Sequence, residues 1–183
     1  MRVTILNGDP DPASEFRTYI SKVASYLEAQ GHSVNNVDLA ELDLKGCGGC
    51  FGCWVKTPGE CVKRDDSAQV CRAAVNAELL LLASPLKMGF TSALLKRAAD
   101  QMIPIVQPYF QFREGAIHHQ PRYAHYPKMA LLLGAGTGSD AEDVQITTEI
   151  WGRTAINMQS KLVFAAVTDR AAKEIADEIA HIA

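Results

Sequence analysis

No basic tract occurs anywhere in this 183-residue sequence, and its formal charge is −3. Binding to nucleic-acid phosphates takes clustered Lys and Arg, so a nucleic-acid surface is not expected. No uninterrupted apolar run approaches the roughly 20 residues that cross a bilayer, and no membrane association is expected. The N-terminal segment Met1-Arg2-Val3-Thr4-Ile5-Leu6 runs straight into a strand-like stretch ending at Asn7-Gly8. It lacks the longer apolar region and small-residue cleavage site of a signal peptide. Together these absences predict a cytoplasmic protein with reduced thiols, in which cysteines serve metal or catalytic chemistry more readily than disulfides. Internal repeats and low-complexity segments are lacking too.

What is present is an alternation. Hydrophobic residues make up 48% of the chain, enough for one domain with a substantial core. Val3 to Leu6 is a short apolar run, followed by a helical period in Phe16, Tyr19, Ile20, Val23, Ala24 and Leu27 that Gly31 stops. Ser33 to Leu39 reads as a second strand and Leu79 to Ala83 as a buried third. A helix is expected from about Thr91 to Met102. Met129 to Leu133 and Leu162 to Val167 are further strands, each followed by an amphipathic helix. Apolar strands alternating with such helices predict an α/β domain over residues 1–183. Its expected form is a doubly wound five-stranded parallel sheet in three α/β/α layers, with an insertion at about 104–127.

Ligands of a sheet in flavodoxin-like order sit beyond the carboxyl ends of the strands, where the first and third strands adjoin. Three loops fall there: Gly8 to Ala13, Ser84 to Phe90, and Gly134 to Asp140. Each carries the glycine, serine or proline that lets backbone amides face a ligand. The first, Gly8-Asp9-Pro10-Asp11-Pro12, lacks a second and third glycine, so it is not a dinucleotide fingerprint.

Cys47, Cys50, Cys53 and Cys61 form the densest chemical signal. Spaced as Cys-Gly-Gly-Cys-Phe-Gly-Cys and followed by Cys61, they meet the four-thiolate demand of a [4Fe–4S] cluster through a glycine-permitted turn. Zinc, a redox pair or free thiols in a loop are the other readings, and spacing alone does not choose among them. Cys71 lies at helical spacing with Val70, Ala74 and Val75 and is read as core. Asp65 and Asp66 read as a helix cap. His118-His119 and His125 are read as a surface or subunit contact, because adjacent residues of a strand point oppositely and no carboxylate accompanies them. Trp54 and Trp151 are read as core.

The segment Cys47 to Asp66, with Pro58-Gly59-Glu60-Cys61 and Asp65-Asp66, resembles the cysteine loop of the NADPH-dependent FMN reductase and iron–sulfur flavoprotein family. Ser84-Pro85-Leu86-Lys87-Met88-Gly89, followed by Ser92, Leu95-Lys96 and Asp100, is similar to that family's flavin loop and the helix after it. The resemblance implies a flavodoxin-like fold, FMN as cofactor, NAD(P)H as co-substrate, a small-molecule electron acceptor and a homodimer or higher homo-oligomer. On it, Gly8, Asp9, Ser14 and Phe16 would meet the FMN phosphate. Ser84, Pro85, Leu86, Lys87, Met88 and Gly89 would face the isoalloxazine through their backbone, with Gly134, Ala135 and Gly136 on its other side. The four cysteines would hold a cluster if one is present. No acid–base catalyst is assigned, since hydride transfer to a flavin needs orientation more than a protein proton donor.

Two positions depart from the family pattern. Asp9 and Asp11 stand where the phosphate loop resembles Gly-Ser-Pro-Arg, and two carboxylates near a phosphate repel it by roughly 3 kcal/mol per charge pair at an effective dielectric near 20. Lys87 stands where the family often has Tyr. The competing expectations are a flavin-free binding or regulatory protein that has lost its phosphate site, or a cluster-bearing one-electron carrier. Residues Pro104 to Pro127, with Tyr109, Phe110, Phe112, Arg113, Arg122, Tyr123 and Tyr126, read as a loop serving as a lid, a nicotinamide-cofactor site or a subunit contact.

Overall fold

A computed structural model describes residues 1–136 and 138–182. Strand β1 (Arg2–Asn7) buries Val3, Ile5 and Leu6. Helix α1 (Glu15–Ala29) follows, opened by Ser14, whose hydroxyl accepts the Arg17 N–H at 3.0 Å. Such a cap contributes about 1 kcal/mol. Strand β2 (Ser33–Asp38) leads into a long loop that contains a 3-10 turn at Leu39–Glu41 and the four-residue helix α2 (Gly52–Val55). Helix α3 (Ser67–Val75), strand β3 (Leu79–Lys87), the short β4 (Phe90–Thr91) and helix α4 (Ala93–Asp100) come next. After a 3-10 turn, β5 (Val106–Arg113) and β6 (Ala116–Pro121) precede β7 (Lys128–Gly134), α5 (Ala141–Asn157), β8 (Leu162–Val167) and α6 (Ala172–Ala180).

The sheet runs β2-β1-β3-β7-β8, and these five strands are parallel, with β1 beside β3 as the alternation predicts. Side-chain alternation divides the core. Leu79 and Leu81 point with Val3 and Ile5 toward α1 and α6, meeting Ile20, Val23, Ile175 and Ile179. Leu80 and Leu82 point with Leu6 toward α3, α4 and α5, meeting Val70, Leu95, Trp151 and Ala155. Each fully buried leucine contributes about 1.5–3 kcal/mol.

Three elements differ from expectation. Strand β3 continues past Ala83 through Ser84 and Pro85, which pair with Leu133 and Gly134, and then turns back into antiparallel β4. The turn residues Met88 and Gly89 both have positive φ, 52° and 77°, the backbone of a tight two-residue hairpin. The expected helix at Thr91 to Met102 is shorter, because Ser92 caps it by accepting the Leu95 N–H at 3.1 Å. The aromatic insertion is not a loop. It is a hairpin closed by Glu114 and Gly115, both at positive φ, with a bulge between Val106 and Phe110. Arg122 and Tyr126 fasten its base: Arg122 donates to the Pro104 carbonyl at 2.8 Å and the Tyr126 hydroxyl to that of Ile105 at 2.5 Å. No helix among the described residues is long and apolar enough to cross a membrane.

Candidate functional site

Beyond the carboxyl ends of β1, β3 and β7, three loops converge. Gly8 is wedged there: its N–H donates to the Ala83 carbonyl at 2.8 Å, and its carbonyl accepts the Ser92 hydroxyl. A β-carbon at this position would stand 2.6 Å from that of Leu95, so only glycine lets β1 approach α4 so closely. The next residue, Asp9, is 2% exposed. Its carboxylate accepts the Asp11 N–H at 3.1 Å and the Ser14 hydroxyl. The loop thus folds around an anion of its own. Asp11 is exposed instead, and its carboxylate accepts the Ala13 N–H at 2.9 Å.

Arg17, the nearby cation, is already engaged. It pairs with Asp38 and donates to the Asp9 carbonyl at 2.8 Å. The Phe16 ring lies against Gly134, where a β-carbon would come within 2.5 Å of it. That contact joins the first loop to the third. Ala135 and Gly136 continue exposed beyond it, and Thr137 lies outside the described residues.

The second loop is mostly strand. Ser84 is buried, its hydroxyl accepting the Ser92 N–H at 2.8 Å, and Leu86 is a core side chain. Pro85 is half-buried. These residues offer a ligand only their backbone, whereas Lys87 and Met88 project into solvent. Sequence reasoning missed the anchor of this turn. The Thr147 hydroxyl donates to the Gly89 carbonyl at 3.3 Å, and Asp143, half of a capping box with Asp140, stands over Gly89. The Asp140-x-x-Asp143 spacing is the signal that was available.

In the cysteine loop, Gly49 has φ +62° and Gly52 packs against Val62, where a β-carbon would clash at 2.5 Å. Glycine thus makes the turn, as expected. The cap expectation meets Asp65 alone, which accepts the Ser67 and Lys45 N–H groups; Asp66, at the N-cap position, makes no side-chain cap bond and instead accepts the Asp43 N–H at 2.8 Å, so the pair closes the loop's two ends together. Burial pushes the Asp65 carboxyl up, but hydrogen bonds from Ser67, Lys45 and Gln101 outweigh it and hold the group below its ordinary value.

Cys47 and Cys50 are exposed, and Cys53 and Cys61 half-buried. Burial raises the Cys53 thiol, and the neighbouring Cys61, Cys47 and Cys50 add to that rise. The four thiols therefore share a neighbourhood. Among the described residues, however, no group of three or more His, Cys, Asp or Glu is arranged to hold a metal ion. Cys71 is core as read: buried, with its thiol pushed up to about 12 chiefly by burial.

Trp151 is core at 1% exposure. Trp54 is half-buried, stacked on Phe51 at 5.2 Å, with its N–H on the Val106 carbonyl at 3.0 Å. His125 is exposed, and His118 and His119, on β6 of the hairpin, are half-buried. Arg122 is engaged at the hairpin base, its Nε donating to the Pro104 carbonyl and its Nη2 to that of Val106.

Solved structures share this architecture. An FMN-dependent NADH-azoreductase from Bacillus anthracis in complex with FMN superposes with a TM-score of 0.69 at 13% identity, covering 99% of this chain and 98% of that one. An NAD(P)H:quinone oxidoreductase from Methanothermobacter marburgensis gives 0.67 at 20% identity, covering 100% and 96%. Two curated relatives are nearer in sequence. An iron-sulfur flavoprotein of Archaeoglobus fulgidus is 29% identical over 104 residues, 57% of this chain and 46% of the relative. One from Methanocaldococcus jannaschii is 28% identical over 105 residues, 57% of this chain and 53% of its own. The chain thus spans about half the length of these relatives. Residues 1–171 match the family description itself, and the chain belongs to the NADPH-dependent FMN reductase family.

Proposed function

We propose that this chain is an NAD(P)H-dependent flavin oxidoreductase that passes electrons to a small acceptor. The observation that carries the proposal is the convergence of Gly8, the Met88-Gly89 turn and Gly134 beyond the carboxyl ends of β1, β3 and β7. Gly8, Gly89 and Gly134 pack closely against Leu95, Asp143 and Phe16, and Gly136 leaves the backbone of that crevice free of neighbouring side chains, where a flat ring system could lie.

FMN is the family's flavin, and its two ends fit differently. The ring end suits the Lys87-Met88-Gly89 turn and the Gly134-Ala135-Gly136 segment. The phosphate end does not suit the first loop as folded, because Asp9 has taken the Asp11 N–H and Ser14 hydroxyl that a phosphate would use. The flavin is therefore held by its ring and exchanges as a substrate does. When bound, a flavin supplies the exchange between hydride and single-electron chemistry. The protein would orient it: the turn, which Thr147 fastens at the Gly89 carbonyl, would set its backbone beside the ring.

A [4Fe–4S] cluster on Cys47, Cys50, Cys53 and Cys61 is the second reading, favoured by the shared neighbourhood of the four thiols. The soft donor set fits, but its geometry is not assembled, and no step is assigned to it. The exposed side chains Tyr109, Phe110, Phe112 and Ile117 of the hairpin suit contact with a second copy of the chain, and five free thiols suit a cytoplasmic setting. The test is NAD(P)H oxidation by purified protein with FMN or riboflavin added under anaerobic conditions. Turnover supports the proposal; absence of turnover with both flavins and both nicotinamides overturns it. Iron and sulfide reconstitution decides the cluster, with about four irons per chain expected if it forms.

A further inference from the structure

The cysteine loop folds back on itself between Gly52 and Val62. The single helical turn of α2 runs into a second reversal: the Gly59 N–H donates to the Cys53 carbonyl at 3.0 Å, the Glu60 N–H to the Thr57 carbonyl at 2.9 Å, and the Thr57 hydroxyl to the Glu60 carbonyl at 2.7 Å. Gly59, at φ +97°, takes a backbone conformation that suits glycine. Val62 then seats on Gly52, where an added β-carbon would stand 2.5 Å from Val62 Cγ1. Cys53 follows Gly52 and Cys61 precedes Val62, so this contact and the Gly59 bond draw the two cysteines together from both sides. Among the described residues, no backbone–backbone hydrogen bond of this kind holds Cys47 or Cys50.

The two half-buried cysteines differ in their surroundings. Cys61 lines a surface cavity of about 520 Å³ together with Lys63, Arg64, Asp65 and Ser67, and Cys53 stands outside that wall. A molecule entering the cavity therefore meets Cys61 first. Burial raises the Cys53 thiol, and Cys61 is the next contributor to that rise, ahead of Cys47 and Cys50. Its nearest electrostatic partner among the thiols is thus the one that the backbone brings to it.

We infer that Cys53 and Cys61 are a thiol–disulfide exchange pair whose substrate is a low-molecular-weight disulfide, with Cys61 attacking and Cys53 resolving. In the first step the Cys61 thiolate attacks one sulfur of the external disulfide. A mixed disulfide forms at Cys61, and one external thiolate leaves and takes up the proton that Cys61 released. In the second step the Cys53 thiolate attacks the Cys61 sulfur, the Cys53–Cys61 disulfide forms, and the second external thiolate leaves and takes up the Cys53 proton. The protein gives up two electrons and two protons, and the external disulfide gains both as two thiols. The new bond closes a turn that the Gly59 and Thr57 hydrogen bonds already hold, and it ties down α2, whose Trp54 N–H reaches the Val106 carbonyl at the hairpin base. The exchange needs neither flavin nor nicotinamide. A metal cluster would occupy the same two thiols and exclude it.

The test incubates the whole reduced protein, its iron content measured, with glutathione disulfide; remaining thiols are then alkylated and the tryptic peptides mapped by mass spectrometry. Trypsin cuts after Lys56 and separates Cys61 from the other three cysteines of the loop. In Cys47→Ser/Cys50→Ser, Cys53 is the one thiol left on the peptide before that cut. A linkage between the two peptides should form in the wild type and to the same extent in Cys47→Ser/Cys50→Ser. Cys53→Ser should accumulate Cys61 as its mixed disulfide with glutathione, the first intermediate trapped. Cys61→Ser should lose the linkage and leave Cys53 free. Absence of the linkage in the wild type, with or without iron, its loss in Cys47→Ser/Cys50→Ser, or an unmodified Cys61 in a Cys53→Ser variant of native circular dichroism would overturn the assignment.

Discussion

Asp9 turns its carboxylate inward and Asp11 turns outward, so the two residues that look alike in the sequence have different effects. The two loop carboxylates were legible from residue types; that one is buried and the other exposed was not, because that depends on the Ser14 hydroxyl and Asp11 N–H that Asp9 holds. A hydrogen bond to a charged group contributes about 1.5–3 kcal/mol. Asp9→Ser frees both donors and removes a negative charge, so FMN affinity should rise about tenfold relative to riboflavin in flavin-fluorescence titrations. Adding Asp11→Arg should change the ratio by much less. The role of Cys71 was legible too, since helical spacing placed it among core residues. With its thiol pushed up to about 12, it should resist iodoacetamide at pH 8 in folded protein while Cys47 and Cys50 react; thiolate is the nucleophile. Mass spectrometry of the alkylated peptides checks this.

At the scale of elements, regular helices and parallel strands followed from periodicity, whereas the hairpin at residues 106–121 did not. Pro108 and a bulge break the alternation of β5, and Glu114-Gly115 is a weaker turn signal than Asn-Gly. The extension of β3 through Ser84 and Pro85 was hidden for a similar reason, since proline usually ends a strand. The wedge at Gly8 is specific to one position. Gly8→Ala should cost about 1–3 kcal/mol by overpacking against Leu95, and thermal unfolding should show a loss of several degrees. Asp65 makes the closure of the cysteine loop depend on pH. Its folded pKa is depressed, so its contribution is complete above the unfolded carboxylate value near about 3.9 and is lost as pH falls through the lower folded value. The stability difference between wild type and Asp65→Asn, measured by urea unfolding, should be constant from neutral to mildly acidic pH and shrink below about pH 4. A gap that instead widened on acidification would contradict the hydrogen-bond account.

Across the whole molecule, the strand order was readable because it follows from the alternation of apolar strands and amphipathic helices. The seat of Val62 on Gly52 was not, since no local motif marks it. The same holds for Phe16 on Gly134 and Thr147 on Gly89, contacts made only when the sheet is assembled. The central claim is that the crevice holds a flavin by its ring while Asp9 occupies the place of the phosphate. Steady-state NAD(P)H oxidation with riboflavin and with FMN tests it directly. The account predicts that both flavins are reduced, with KM values within about threefold of one another, because the phosphate contributes little binding energy. Reduction of neither flavin, or a preference for FMN of a hundredfold or so, would contradict it.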